Sequence, residues 1–293
     1  MLSPTTSAAS SLPARPPEPA ALAPAAWRIA PRLLAWGDRL APPLAFIALI
    51  AVWELACRLF QIPSFLLPSP SAIVAAAFEL PLNLWLGHTF ATLRVALLGY
   101  FAAIVVSIPL AVLLVSSRLM SRTLYPILVI VQSTPIVAVA PIIVVTLGSD
   151  DLPRIVITFL ITFFPIVVST VTGMMATPEE LIELSRSLRA GRGREMLHIR
   201  LPYAVPYIFS ALKISTTLAV IGAVVAEFVA GAGGQGSGLA YRILEAGYQL
   251  KTPRMFAALL MISCAGVVIF LATSWVSQRI LRRWHESAME RES

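Results

Sequence analysis

Four ionisable residues stand inside long apolar stretches: Glu54, Arg58, Arg94 and Glu227. Charge at membrane depth is costly, so each carries a functional hypothesis. Glu54 and Arg58 are spaced i, i+4 and can neutralise one another on one helix face. Arg94 falls about a turn inside the outer end of its stretch, and Glu227 lies near the outer end of another. Both are candidates for lining a solute path, the alternative being that they snorkel to the headgroups. Gly231, Gly233 and Gly236 spell G-x-G-x-x-G. A dinucleotide site needs a strand before that motif and a helix after it; here a membrane-length apolar stretch precedes it, so it reads as an external loop. No G-x-x-x-x-G-K-[ST] occurs, so ATP hydrolysis through a P-loop is excluded. The three His residues and the pair Cys57 and Cys264 are scattered without metal-ligand clustering. Both cysteines fall in apolar stretches and read as small buried hydrophobes. No Ser/His/Asp set or paired carboxylates sit together at membrane depth, which disfavours a membrane enzyme. No cofactor is expected in this chain.

The elements that position these residues follow from composition. Of 293 residues, 58% are hydrophobic and 13% charged, and the mean hydropathy is +0.83. Soluble domains carry about 25% charged residues. A bilayer core needs about 20 apolar residues per helical span, and six stretches qualify: 41–60, 89–115, 124–147, 155–175, 206–230 and 255–276. A β-barrel would show shorter, alternating segments. The fold class is therefore all-α, a polytopic membrane protein with six transmembrane helices. Pro126, Pro135 and Pro141 fall in one span and predict a bent or broken helix there.

The net charge of +7 is explained by placement rather than by nucleic acid, and no nucleic-acid partner is expected. With the N-terminus inside, 16 Lys and Arg fall on the cytoplasmic side and four outside, which places both termini in the cytoplasm. Residues 1–40 form a basic cytoplasmic tail, Pro- and Ala-rich and without a core-forming pattern through residue 26. From Trp27 to Leu40 the sequence allows either a short interfacial segment, its helix limited by Pro31, or a mobile basic tail. The membrane domain spans 41–280, and 281–293 form a cytoplasmic tail.

The largest cytoplasmic connection, 177–205, carries order. Thr177-Pro178-Glu179-Glu180 reads as an N-cap, a proline at the first helical position and a capping-box glutamate. Leu181, Leu184 and Leu188 recur at helical spacing. Gly191 and Gly193 mark a turn before a second short helix. Two amphipathic helices there make a docking surface for a partner, the alternative being a hairpin packed on its own membrane domain. The spans lack mid-membrane carboxylates or histidines of the kind expected of a proton-coupled pump. A self-contained secondary transporter or channel is the rival reading, and the ordered loop weighs against it. No internal duplication is visible, so the chain reads as one half of a pair.

Several motifs carry a resemblance. They are Trp53-Glu54-Leu55 with Leu67-Pro68-Ser69-Pro70-Ser71, Thr92-Leu93-Arg94-Val95 with Gly99, and Pro135 through Pro141. In the loop, Glu183-Leu184-Ser185 stands where a family pattern reads E-A-A, and Ile199-Arg200-Leu201-Pro202 closes it at the matching distance. Pro206-Tyr207-Ile208-Phe209, Lys213 and Ala226-Glu227-Phe228 follow. Over residues 45–280 the chain resembles permease subunits of bacterial ATP-binding-cassette importers, the nitrate/sulfonate/taurine branch, with the type I importer fold. The family glycine position is Arg189, and Gly191 is expected to supply the turn instead. The resemblance implies a homodimer in the bacterial inner membrane, in contact with membrane lipids. It also implies two ATPase subunits gripping Glu183, Leu184, Ser185, Arg189, Gly191, Ile199, Leu201 and Pro202, and an external periplasmic substrate-binding protein. The solute is a sulfonate, nitrate, taurine, or a riboflavin or thiamine-precursor compound; Leu239-Ala240-Tyr241 looks most like the vitamin-precursor members.

Overall fold

The computed structural model describes residues 31–148, 150–231 and 237–289, all of its regular structure helical. The tail before residue 31, the last four residues, and Gly233 and Gly236 of the glycine motif lie outside the described residues. In chain order the helices are α1 (Pro31–Leu59), α2 (Pro70–Phe78), α3 (Leu82–Ser116), α4 (Arg118–Gln132), α5 (Ile136–Leu147) and α6 (Asp151–Met175). They continue with α7 (Glu179–Ser187), α8 (Arg192–Glu195), α9 (Leu201–Ala230), α10 (Leu239–Tyr248) and α11 (Thr252–Met289).

Among the described residues five helices are long and apolar enough to cross a membrane: Ala41–Leu59, Leu82–Ser116, Asp151–Met175, Arg192–Ala230 and Thr252–Leu281. The apolar stretch 124–147 is broken, as its prolines predict. Leu119–Gln132 and Ile136–Leu147 meet at 93°, because Pro135 has no N–H to continue the ladder and pushes Thr134 away from helical geometry. The segment before the first span is not a separate interfacial helix: α1 runs unbroken from Pro31, with Pro42 and Pro43 inside it. A proline at a helix start costs nothing, since its missing N–H would be unpaired there.

The described residues up to Val52 form one unit and those from Trp53 onward a second, larger one. The core of the second is α6 packed between α3 and α9. Val95, Ala103 and Leu114 of α3, Ile166, Val167 and Met174 of α6, and Ala204, Ala219 and Ala223 of α9 are buried together. Without a hydrophobic driving force between helices in lipid, association rests on close packing and interhelical hydrogen bonds. Both are present. A Cβ on Gly99 would lie 2.6 Å from the Thr158 Cβ, so only glycine lets α3 and α6 approach this closely. Ser107 donates to the Phe163 carbonyl (3.1 Å) and Tyr100 to the Leu212 carbonyl (3.1 Å). Cys57 is buried, whereas Cys264 faces outward from α11, a correction to its reading as a buried hydrophobe. Helical periodicity alone does not say which face of a uniformly apolar span is covered.

Two helices have no counterpart in the span count. α2 is capped by Ser69, whose Oγ accepts from the Ala72 amide, with Pro70 at its first position. Glu54 then holds it: its carboxylate accepts from the Ser71 amide at 2.9 Å and the Ser71 hydroxyl at 2.8 Å, while Arg58 donates at 2.6 Å. The i, i+4 pair therefore exists, with α2 as its third member. α10 follows Gly238 and packs against α11 and α9.

Candidate functional site

The loop between α6 and α9 is built on α7. Thr177 does not cap it. The Thr177 hydroxyl donates back to the Met174 carbonyl at 3.0 Å, closing α6, and the residue before α7 is Pro178 with no side-chain cap. A threonine can bond an i−3 carbonyl as readily as a forward amide, and here the backward bond is formed. Glu179 and Glu180 still lie in the first turn, where their charge favours the helix dipole.

α7 presents two faces. Ile182 and Ser185 are buried, Ser185 to 4% exposure, and they seat the helix. Glu183 points outward. Leu181, Leu184 and Leu188 also face outward, the last two 58% and 74% exposed. Three leucines on the free face of an otherwise polar helix form an apolar stripe open to a partner.

The turn after α7 corrects a second expectation. Gly191 does not supply it: its φ is −67°, and it stands at the N-cap of α8. The left-handed residue is Arg189, at φ 53°. The Arg189 amide donates to the Arg186 carbonyl (2.9 Å) and the Ala190 amide to the Ser185 carbonyl (3.0 Å), the paired bonds of a Schellman motif. The chain thus turns at the position where the family pattern has glycine.

The second helix of the loop is also not free-standing. α8 passes through a π turn, Met196–Arg200, directly into α9, so Ile199 and Arg200 lie in that turn and Leu201 and Pro202 open the spanning helix. Pro202 cannot donate and crowds the preceding turn, and a π turn accommodates both. Beneath α7, Glu195 is buried and accepts from Arg200 at 2.9 Å, with the Arg186 Nε at 3.9 Å. Arg200 also donates to the Met174 carbonyl at 3.3 Å. This ion cluster ties the loop to the end of α6.

At the other end of the bundle, Arg94 is paired with Asp151 at the start of α6, and Arg154 approaches the same carboxylate at 3.8 Å. Arg94 remains 44% exposed, whereas Arg154 is buried. Because α3 begins at Leu82, Arg94 lies about three turns into the helix rather than one. Glu227 is 3% exposed. Its Oε2 accepts from the Ala240 amide at 3.0 Å, and the Leu239 amide donates to the Thr92 hydroxyl at 2.8 Å. Gly238 permits this: a Cβ there would collide with the Glu227 carboxylate and the Thr92 hydroxyl. Glu227 and Thr92 together receive the first amides of α10. A neighbouring set joins His88 to the Ser237 carbonyl and accepts the Arg242 Nε at 2.8 Å, with Arg242 paired to Glu245. Sequence reasoning missed Asp151, His88 and Arg242, whose contacts with Arg94 and with one another join residues distant in the chain.

Residues 103–282 match the family model for the binding-protein-dependent transport system inner membrane component. The chain is 33% identical to the formylaminopyrimidine transport permease protein of Halalkalibacterium halodurans, over 84% of this chain and 96% of that one. It is 34% identical to the riboflavin transport system permease protein of Chloroflexus aurantiacus, over 84% and 90%. In structure it is similar to a chain of the inward-facing MetNI methionine ABC transporter, with a TM-score of 0.57 and 22% identity, covering 66% of this chain and 94% of that one.

Proposed function

The chain belongs to the family of binding-protein-dependent transport system inner membrane components, and from that premise we propose that two copies form the path of an importer for a riboflavin- or thiamine-precursor-type solute. It is the multi-pass permease component of an ABC importer; ATP hydrolysis belongs to a partner subunit and solute capture to a binding protein. In our reading both termini and α7 face the cytoplasm, following the distribution of Lys and Arg. Two ATPase subunits take the exposed edge of α7, and the binding protein docks on the α10 side.

The observation that carries this reading is the stripe of Leu181, Leu184 and Leu188 on a helix that Ile182 and Ser185 seat from below. α7 continues through the Arg189 turn, α8 and the π turn into α9. Movement imposed on α7 therefore reaches a membrane-spanning helix through a short, hydrogen-bonded connection. That is what coupling to an external engine requires, and a self-contained carrier has no use for it.

The solute class is supported by the riboflavin and formylaminopyrimidine relatives, each identical to this chain at about a third of positions. Uptake by cells carrying the complete system tests both parts. Riboflavin or formylaminopyrimidine uptake is expected, lost in Glu183→Lys while membrane insertion persists. Uptake confined to nitrate, taurine or another sulfonate would overturn the solute class. Undiminished ATP-dependent uptake by Glu183→Lys would overturn the coupling role.

A further inference from the structure

A cleft of about 870 Å³ opens beside the loop, between the α3–α4 junction and the turn after α7. One wall is basic and polar: Arg186, Arg192 and Arg200 with Ser116 and Ser117. The other is apolar: Val115, Leu119 and Met196. Among the described lining residues Glu195 is the single carboxylate, and Arg200 already engages it at 2.9 Å. Arg186 reaches that carboxylate only loosely, at 3.9 Å, and its side chain is 64% exposed. Arg192 has no carboxylate partner among the described residues. The cleft is therefore left with an excess of guanidinium charge. The first turn of α4 adds to it, since helix-start amides lack intrahelical acceptors and carry partial positive charge.

From this arrangement we infer that the cleft binds the phosphate-bearing headgroup of an anionic phospholipid of the inner leaflet. Guanidinium groups match phosphate oxygens in charge and geometry. Basic pockets between spanning helices on the cytoplasmic side suit such headgroups. The apolar wall and the volume favour a lipid over a free phosphate ion, which would fill a small part of the space and leave Val115, Leu119 and Met196 unused. The lipid would sit between the broken span and the loop. The inner-leaflet placement rests on the orientation proposed above; the chemistry of the cleft does not.

Native mass spectrometry of the purified full chain, with phosphatidylglycerol, phosphatidylcholine of the same acyl chains, or inorganic phosphate added, tests the inference. Phosphatidylglycerol is expected to be retained over phosphatidylcholine. Arg192→Glu should lower its occupancy about fivefold and Arg186→Glu/Arg192→Glu further. Arg279→Glu, the same charge change on α11, should leave occupancy unchanged, and millimolar phosphate should not displace the lipid. Equal retention of phosphatidylcholine, full retention by the double variant, or displacement by inorganic phosphate would overturn it. So would loss of the lipid on adding the ATPase subunits, which would make the ATPase the occupant. Because ATPase recovery can be scored in parallel preparations, failure of lipid binding is distinguishable from failure of the importer reading.

Discussion

The Glu227 carboxylate at the end of α9 accepts the Ala240 amide at 3.0 Å, thirteen residues along the chain. With Thr92 holding the Leu239 amide, one acid and one hydroxyl from two different spans receive the start of α10. The bond belongs to a buried carboxyl group at a helix N-terminus, whose first amides need acceptors from outside the helix. Glu227→Ala would leave the Ala240 amide without an acceptor in a closed site, costing about 1–3 kcal/mol. Hydrogen exchange at Leu239 and Ala240 should accelerate while exchange in α6 stays slow. Uniform acceleration across the bundle would show that the contact supports the whole fold rather than α10.

Gly238→Ala should reproduce that effect by another route. The added methyl collides with both the Glu227 carboxylate and the Thr92 hydroxyl, and overpacking of this kind costs about 1–3 kcal/mol. The double variant Gly238→Ala/Glu227→Ala should be less destabilised than the sum of the singles, because one of the two collision partners has been removed. Thermal unfolding of the four proteins in detergent measures the coupling.

Arg189 and Gly191 make predictions opposite to those of a turn supplied by Gly191. A non-glycine residue at left-handed φ costs about 1 kcal/mol, so Arg189→Gly should slow hydrogen exchange at the turn amides Arg189 and Ala190. Gly191→Ala should change stability by less than about 0.5 kcal/mol, because its φ is −67° and a Cβ there meets open space. A destabilised Gly191→Ala would show that the turn needs glycine at 191.

Asp151 should matter more than Arg94. It faces both Arg94 and the buried Arg154. Asp151→Asn removes a counter-charge from a cation that cannot reach open solvent, which costs more than losing an exposed partner. Asp151→Asn should therefore lower the melting temperature in detergent more than Arg94→Gln does.

The spans were legible because apolar length is a strong signal, and the break at Pro135 because proline acts through the backbone alone. Arg58 was paired correctly with Glu54 because i, i+4 neighbours on a helix need no tertiary information. Asp151 and Thr92 were not, since what they touch is set by how α3, α6 and α9 pack. α2 carried a readable signal in Ser69-Pro70 that a search for twenty-residue stretches passes over. α10 follows glycines and is too short to register as a span. Helical order between α6 and α9 was legible in the spacing of Leu181, Leu184 and Leu188, but its details turned on competitions that spacing does not decide. Thr177 bonds backward to Met174 instead of forward, and the left-handed residue is Arg189 although a glycine stands two residues later.

In the proposed importer the outer face of α7 grips an ATPase. The most direct measurement of that grip is co-purification of the ATPase with tagged chain from membranes expressing the whole system, comparing the natural sequence with Leu184→Asp/Leu188→Asp. Both leucines are exposed, so the variant should insert and fold normally. Stoichiometric ATPase is expected with the natural chain and a loss of at least tenfold with the variant, in line with about 1.4 kcal/mol or more of lost contact. Equal recovery from both, with the membrane domain intact, would contradict it.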